Sequence, residues 1–330
     1  MRQAIRLMWA SLGGIACLIA TAWAIGALYF DLPLAWLRVP LALIYGMAML
    51  AVLIFVKGRW RAMGVVAGGF AVVLAWWFTI EPSNEGNWQP DVAQLAWAEI
   101  ANDEVTLHNV RNCEYRTDTD YTPKWETRVV HLSNLTGVDL AINYWGSPWI
   151  AHPIASFQFG DAAPVCFSIE TRKKIGQTYS AIGGLYRQFE LIYIVADERD
   201  VIRVRTNYRK GEDIYLYHTT ISPAQARERF LEYIHSLNVL REKPRWYNAV
   251  TTNCTTSIRT QHPPGERIPW DWRILLNGKG DELMYEHQLI ITGGAPFAEL
   301  KARSLINSRA QAANDAPDFS HQIRIGIPGY

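Results

Sequence analysis

No charge of one sign dominates this sequence. Its 330 residues carry 32 Lys and Arg against 31 Asp and Glu, a formal net charge of +1. The basic excess that would hold a phosphate backbone is missing, which excludes nucleic-acid binding as a function class. Metal-ligand spacing is also missing: no H-x-x-x-H or C-x-x-C pair occurs, so zinc is set aside and no metal or cofactor is expected. No internal repeat is present. Acids are almost absent from the first 80 residues, where Asp31 stands alone beside Arg2, Arg6, Arg38, Lys57, Arg59 and Arg61. The other 30 acids and 26 cations lie beyond residue 80, so the near-neutral whole conceals an apolar quarter and a mildly acidic polar remainder.

Within that quarter, residues 7–30, 39–56 and 62–80 carry no charge over 24, 18 and 19 positions, against roughly 20 needed to cross a bilayer core. They read as three transmembrane helices. A cleavable signal would have an apolar region of only about 7 to 15 residues, and buried core helices would carry polar residues at a 3.6-residue period that is absent here. Arg2, Arg6, Lys57, Arg59 and Arg61 mark one face and Arg38 the other. The positive-inside bias then places the N-terminus and the 57–61 loop in the cytoplasm and everything after Glu81 outside. In a bacterium this is a multi-pass protein of the inner membrane with a large periplasmic domain. Residues 1–82 form the anchor, 83–307 the outward domain, and 308–330, rich in Ala, Asn, Asp, Pro and Gly, a loosely ordered tail.

The outward domain reads as α+β. A short helix is expected over 91–99. Strands are expected over 105–115, 126–132, 138–145, 154–159, 165–171, 190–196, 201–207 and 214–218, from branched and aromatic residues between turn clusters. A helix opens at Ser222-Pro223 and runs to about Leu240. The charge run Asp197-Glu198-Arg199-Asp200 reads as a solvated turn between strands.

Of four cysteines, Cys17 lies in a span and Cys113, Cys166 and Cys254 in the outward domain. In an oxidising compartment two can pair and the third stays a thiol. Cys113 and Cys166 sit in expected strands, as a mutual disulfide or as two buried thiols. Cys254 follows the polar stretch Tyr247–Asn253 at the start of an expected helix, where a helix N-terminus favours the thiolate; a structural buried cysteine is the competing reading. The domain offers eight histidines as a base: His108, His131, His152, His218, His235, His262, His287 and His321. His152 stands out because it opens the first strand of a hairpin. With the turn centred near Asp161, Glu170 falls directly opposite it on the same face, where a carboxylate fixes an imidazole's tautomer and stabilises its charged form. A lone surface Glu is the alternative.

The segments Trp145–Phe159 (WGSPWIAHPIASFQF), Cys166–Arg172 (CFSIETR), Gly184–Tyr193 (GLYRQFELIY), Ala196–Asn207 (ADERDVIRVRTN) and Trp246–Thr256 (WYNAVTTNCTT) together resemble the Lnb N-terminal periplasmic domain family. That family is grouped with permuted papain-like, NlpC-type thiol enzymes, whose His-bearing strands precede the Cys-bearing helix. The resemblance implies Cys254 as nucleophile, His152 as base and Glu170 as orienting partner. It also implies transfer of a fatty acyl group to the N-terminal cysteine of lipoproteins through a thioester. Here three spans precede the domain and none is evident after it, a departure that bears on the lipoprotein substrate more than on the thiol chemistry.

On that reading membrane phospholipid is the acyl donor, and a lipoprotein or a cell-wall peptide is the acceptor or substrate. The backbone N–H of Cys254 supplies one oxyanion donor, with Asn253, Asn248 and Tyr247 as further oxyanion or positioning candidates; the competing role for an Asn before a helix is its cap. Trp246, Trp270, Trp272, Leu275, Leu276 and Tyr285 are expected either in an apolar groove or in the core. Two other functions compete: a thiol amidase or endopeptidase on cell-wall peptides, and a non-catalytic envelope protein whose domain only binds a partner. Apolar surroundings at Cys254 favour acyl transfer, and an open polar cleft favours peptide hydrolysis.

Overall fold

The protein is described by a computed structural model covering residues 2–160, 162–261 and 269–330. Asp161 and His262 lie outside the described residues. The chain divides into two compact units, one comprising residues 1–83, 179–190 and 246–249 and the other residues 84–178, 191–245 and 250–330.

The first unit contains α1 (Arg2–Asp31), α2 (Ala35–Phe55) and α3 (Arg59–Phe78). All three are long and apolar enough to cross a membrane. They pack pairwise around Ala24, Ala27 and Val73, with Trp23, Phe70 and Trp77 in edge-to-face contact. Asp31, the one acid of this stretch, accepts from Trp77 Nε1 at 2.6 Å and from Gln188 Nε2 at 2.9 Å, which ties the 179–190 segment to the end of α1.

The second unit is built on a twisted sheet. Its strands are β1 (Trp97–Ala101), β2 (Glu104–Arg111), β5 (Trp125–His131), β6 (Leu135–Trp145), β7 (Ala151–Phe159), β8 (Val165–Arg172), β9 (Glu190–Ala196) and β10 (Glu212–His218). A separate two-stranded ribbon joins β3 (Glu114–Tyr115) to β4 (Tyr121–Thr122). The order in the main sheet is β1-β2-β9-β8-β7-β6-β10, with β5 on β2. Helix α5 (Pro223–Glu242) starts at a capping box formed by Ser222 and Gln225, as the Ser-Pro signal predicts. Its Phe230 and Tyr233 pack edge-on against Phe157 and Phe167 of the central strands.

Four expectations fail here. Residues 91–99 form only a turn of 3-10 helix at Pro90–Val92 before β1 begins, so most of the expected helix is irregular chain and strand. Residues 201–207 are helical: α4 (Glu198–Val201), capped by Asp197, runs into a π-helical turn at Val204–Tyr208. Val201, Ile202 and Val204 are branched residues that read as strand, but their helical spacing buries them in the core, and burial overrides propensity. The acidic run that precedes them is no solvated turn. Glu198 and Asp200 are fully buried, Glu198 facing Arg324 and Asp200 facing Arg111.

The fourth failure is the tail. Beyond α7 (Gly280–Glu286) and α8 (Phe297–Ser304), the last residues fold as α9 (Asn307–Ala312) and α10 (Phe319–Gln322). Ile306, Ala310, Ala313, Phe319, Ile323 and Ile327 join the same core cluster as Ile192, Ile194, Ile214 and Leu216. One apolar anchor per turn suffices to bury a segment that its average composition makes look disordered. Arg324, 6% exposed, then pins the tail by donating to Glu198 Oε2 at 2.9 Å and to Asp139 Oδ2 at 2.9 Å.

Candidate active site

The hairpin β7–β8 pairs in the expected register: Ile154 faces Ser168 and Ser156 faces Cys166. Carried two residues outward, that register sets His152 opposite Glu170. Helix α6 (Cys254–Gln261) packs against both of these strands. His152 is buried, and its Nε2 lies 2.6 Å from Ser168 Oγ and 3.8 Å from Glu170 Oε1. Glu170 therefore reaches the imidazole through Ser168, which donates to Glu170 Oε1 at 2.6 Å. The same carboxylate oxygen accepts from Arg205 Nη2 at 2.8 Å. Burial works to raise the Glu170 pKa, but the Arg205 guanidinium and His152 outweigh it and hold the carboxylate well below its usual range. Burial pulls His152 down to about 4, against the opposing pull of Glu170.

Cys254 is the first residue of α6. Asn253 caps that helix: its Oδ1 accepts from Thr256 N at 2.9 Å while its own N–H donates to Thr256 Oγ1 at 2.9 Å. The Cys254 thiol is buried, 3.8 Å from Thr255 Oγ1. Burial pushes it up to about 11, with hydrogen bonds from Thr255 only partly opposing. This corrects the expectation that the helix N-terminus leaves Cys254 a thiolate: in the resting site desolvation is larger than the terminus effect. Cys113 and Cys166 are two separate buried thiols and form no disulfide; burial lifts Cys113 to about 11 and Cys166 well above the usual thiol value.

One side chain joins the two halves of the site. Asn277 Oδ1 accepts from Ala151 N at 2.8 Å, next to His152. Its Nδ2 donates to Thr255 Oγ1 at 2.8 Å and lies 3.7 Å from Cys254 Sγ. Gly278 makes this approach possible, since a Cβ there would come within 2.4 Å of Pro148 O and Trp149 C. Sequence reasoning passed over Asn277, Ser168 and Arg205. The Asn-Gly dipeptide marks a turn, but nothing local says that the turn returns to Cys254. Ser168 and Arg205 read as an ordinary strand residue and an ordinary cation.

The remaining candidates separate. Tyr247 and Asn248 belong to the unit that contains the apolar helices, where Tyr247 N donates to Phe189 O at 2.9 Å and Asn248 Nδ2 to Leu185 O at 3.3 Å. Trp246 is in that unit too, donating to Ile80 O. Of the expected aromatic and apolar group, Trp270, Trp272, Leu275 and Leu276 are exposed, while Tyr285 packs on Phe297. Trp149, 48% exposed, sits 6.2 Å ring to ring from Trp272, 51% exposed.

No curated protein and no solved structure matches the chain. A family model does: residues 121–278 match the Lnb N-terminal periplasmic domain, a span longer at both ends than the sequence motifs that resemble it. It encloses His152, Ser168, Glu170, Arg205, Cys254 and Asn277, the whole set that the geometry draws together. Residues 121–278 are thus an Lnb N-terminal periplasmic domain, carried by a membrane-associated periplasmic protein with three apolar N-terminal helices.

Proposed function

We propose that this domain is a permuted papain-like thiol enzyme that transfers a fatty acyl group, with Cys254 as nucleophile and His152 as base. The observation that carries the reading is Asn277, whose single amide holds the Cys254–Thr255 helix start and the backbone beside His152 in one arrangement. Sγ attacks the carbonyl of a phospholipid ester while His152 takes the thiol proton. The C–O bond then breaks, the lysophospholipid hydroxyl leaves with that proton, and a thioester remains on Cys254. The amine of a lipoprotein N-terminal cysteine attacks the thioester, gives up its proton through His152 and leaves as the amide, restoring the thiol.

The Cys254 N–H, free of an intrahelical partner at the first helical position, serves the oxyanion. Asn253 is committed to its cap, so the Asn277 amide is the side-chain donor that stands at the thiol. Exposed Trp149, Ile150, Trp272, Leu275 and Leu276 flank the segments that deliver His152 and Asn277, and this apolar rim supports a lipid substrate over a cell-wall peptide. The bias of Lys and Arg supports an inner-membrane protein with its N-terminus in the cytoplasm.

The test is incubation of the purified full chain with phospholipid vesicles, followed by intact mass. An added acyl mass that hydroxylamine removes, and that Cys254→Ser abolishes, is expected. No adduct, together with unchanged lipoprotein N-termini in cells carrying Cys254→Ser, would sink the reading, and altered cell-wall fragments instead would assign peptide hydrolysis.

A further inference from the structure

The hydrogen-bond chain that leads away from His152 has a direction. Glu170 Oε1 accepts from Arg205 Nη2 at 2.8 Å and from Ser168 Oγ at 2.6 Å. A carboxylate held by a guanidinium only accepts, so the single Ser168 proton is committed to Glu170. His152 Nε2 lies 2.6 Å from the same Ser168 oxygen, whose remaining capacity is to accept. The imidazole proton must then sit on Nε2 and the lone pair on Nδ1. Among the described residues no hydrogen bond engages Nδ1, which leaves it as the nitrogen available to take a proton.

We propose that Ser168 and Arg205 are positioning residues that lock His152 in its Nε2–H tautomer, Ser168 by accepting that proton's hydrogen bond and Arg205 by keeping Glu170 an acceptor. Its functional meaning rests on the reading of Cys254 and His152 as nucleophile and base.

Arg205 is 3% exposed and set in the π-helical turn, its Nη1 donating to Val201 O at 2.7 Å, so its aim at Glu170 is built into the backbone. Without it, burial favours a protonated Glu170. A carboxylic acid would donate to Ser168, Ser168 would turn its own proton to Nε2, and His152 would hold its proton on Nδ1 instead. The chain would then run backwards and offer the thiol no base. In Ser-His-Asp triads a wrong tautomer costs on the order of 10⁴-fold in turnover.

The experiment is nitrogen NMR of the full chain, labelled with ¹⁵N-histidine, in lipid nanodiscs at pH 7. The His152 signals among the eight histidines are those lost in His152→Gln. The wild type is expected to show a protonated, pyrrole-type Nε2 and an unprotonated, pyridine-type Nδ1. Ser168→Ala should move both signals to averaged positions as two tautomers interconvert, and Arg205→Met should interchange them. Averaged or interchanged signals in the wild type overturn the proposal, and so does a Ser168→Ala pattern identical to wild type. Should Arg205→Met not fold, the wild type and Ser168→Ala decide alone. The readout needs no substrate: a locked tautomer in a protein that forms no acyl-enzyme defeats the acyl-transfer reading and leaves this one standing, whereas averaged signals in an acylating protein do the reverse.

Discussion

A buried thiol should be slow to react on its own, and Cys254 offers a direct measurement of this. An unperturbed thiol near 9 is about one per cent ionised at pH 7. At about 11 the fraction is about 1 in 10⁴, a loss of roughly 100-fold in thiolate. Alkylation by iodoacetamide, followed by peptide-resolved mass spectrometry on the full chain, should give a Cys254 rate that climbs about tenfold per pH unit from 7 to 10 with no plateau. The slope is informative even if access slows every rate by a constant factor. On this reasoning the thiolate forms only when a substrate carbonyl is in place and His152 can take the proton during attack, as a general base does. A rate that levels off with its half-point below pH 8 would refute it, because that profile belongs to a standing thiolate–imidazolium pair.

Other outcomes follow from the same geometry. Arg324→Met strands two fully buried carboxylates, Glu198 and Asp139, and should cost about 3 to 5 kcal/mol, read as a lowered thermal unfolding midpoint in detergent. Asn253→Asp keeps the acceptor that caps α6 but loses the amide donor, so acyl-enzyme formation should persist; a loss of 10²-fold or more would reassign Asn253 to the oxyanion. Gly278→Ala should uncouple Asn277 from Ala151 and Cys254, lowering acyl-enzyme formation well beyond any change in unfolding midpoint. His152 is held down to about 4 from 6.5. A depressed histidine binds protons better when unfolded, so its contribution is present above pH 6.5 and lost as pH falls toward 4, roughly 3 kcal/mol. His152→Gln should flatten the pH dependence of stability across that window and leave it unchanged above it.

The histidine and its carboxylate were legible because a hairpin has a two-residue period, and one turn position sets every facing pair along it. Cys254 was legible because a polar cluster ahead of a helix marks its start. Neither signal reaches across the chain. Ser168 could be found only when Glu170 proved to stand 3.8 Å from the imidazole, with a hydroxyl between them. Asn277 lies 23 residues beyond Cys254, and the close approach that Gly278 permits is visible only in space. The acidic run at 197–200 misled because charge reads as exposure unless its partners are known, and Arg324, a partner of Glu198, is 126 residues away. The same contact explains the tail, whose average composition hides one buried anchor per turn.

By itself the sequence determined what depends on neighbours along the chain: three apolar spans with their flanking charges, the strand and helix periods, the hairpin register, and the thiol at a helix start. Only the tertiary structure decided protonation and partnership. Burial lifts Cys254 and lowers His152, a buried guanidinium keeps Glu170 ionised, and one distant amide closes the site, because desolvation and Coulomb interaction are set by distances in space and not by separation along the chain.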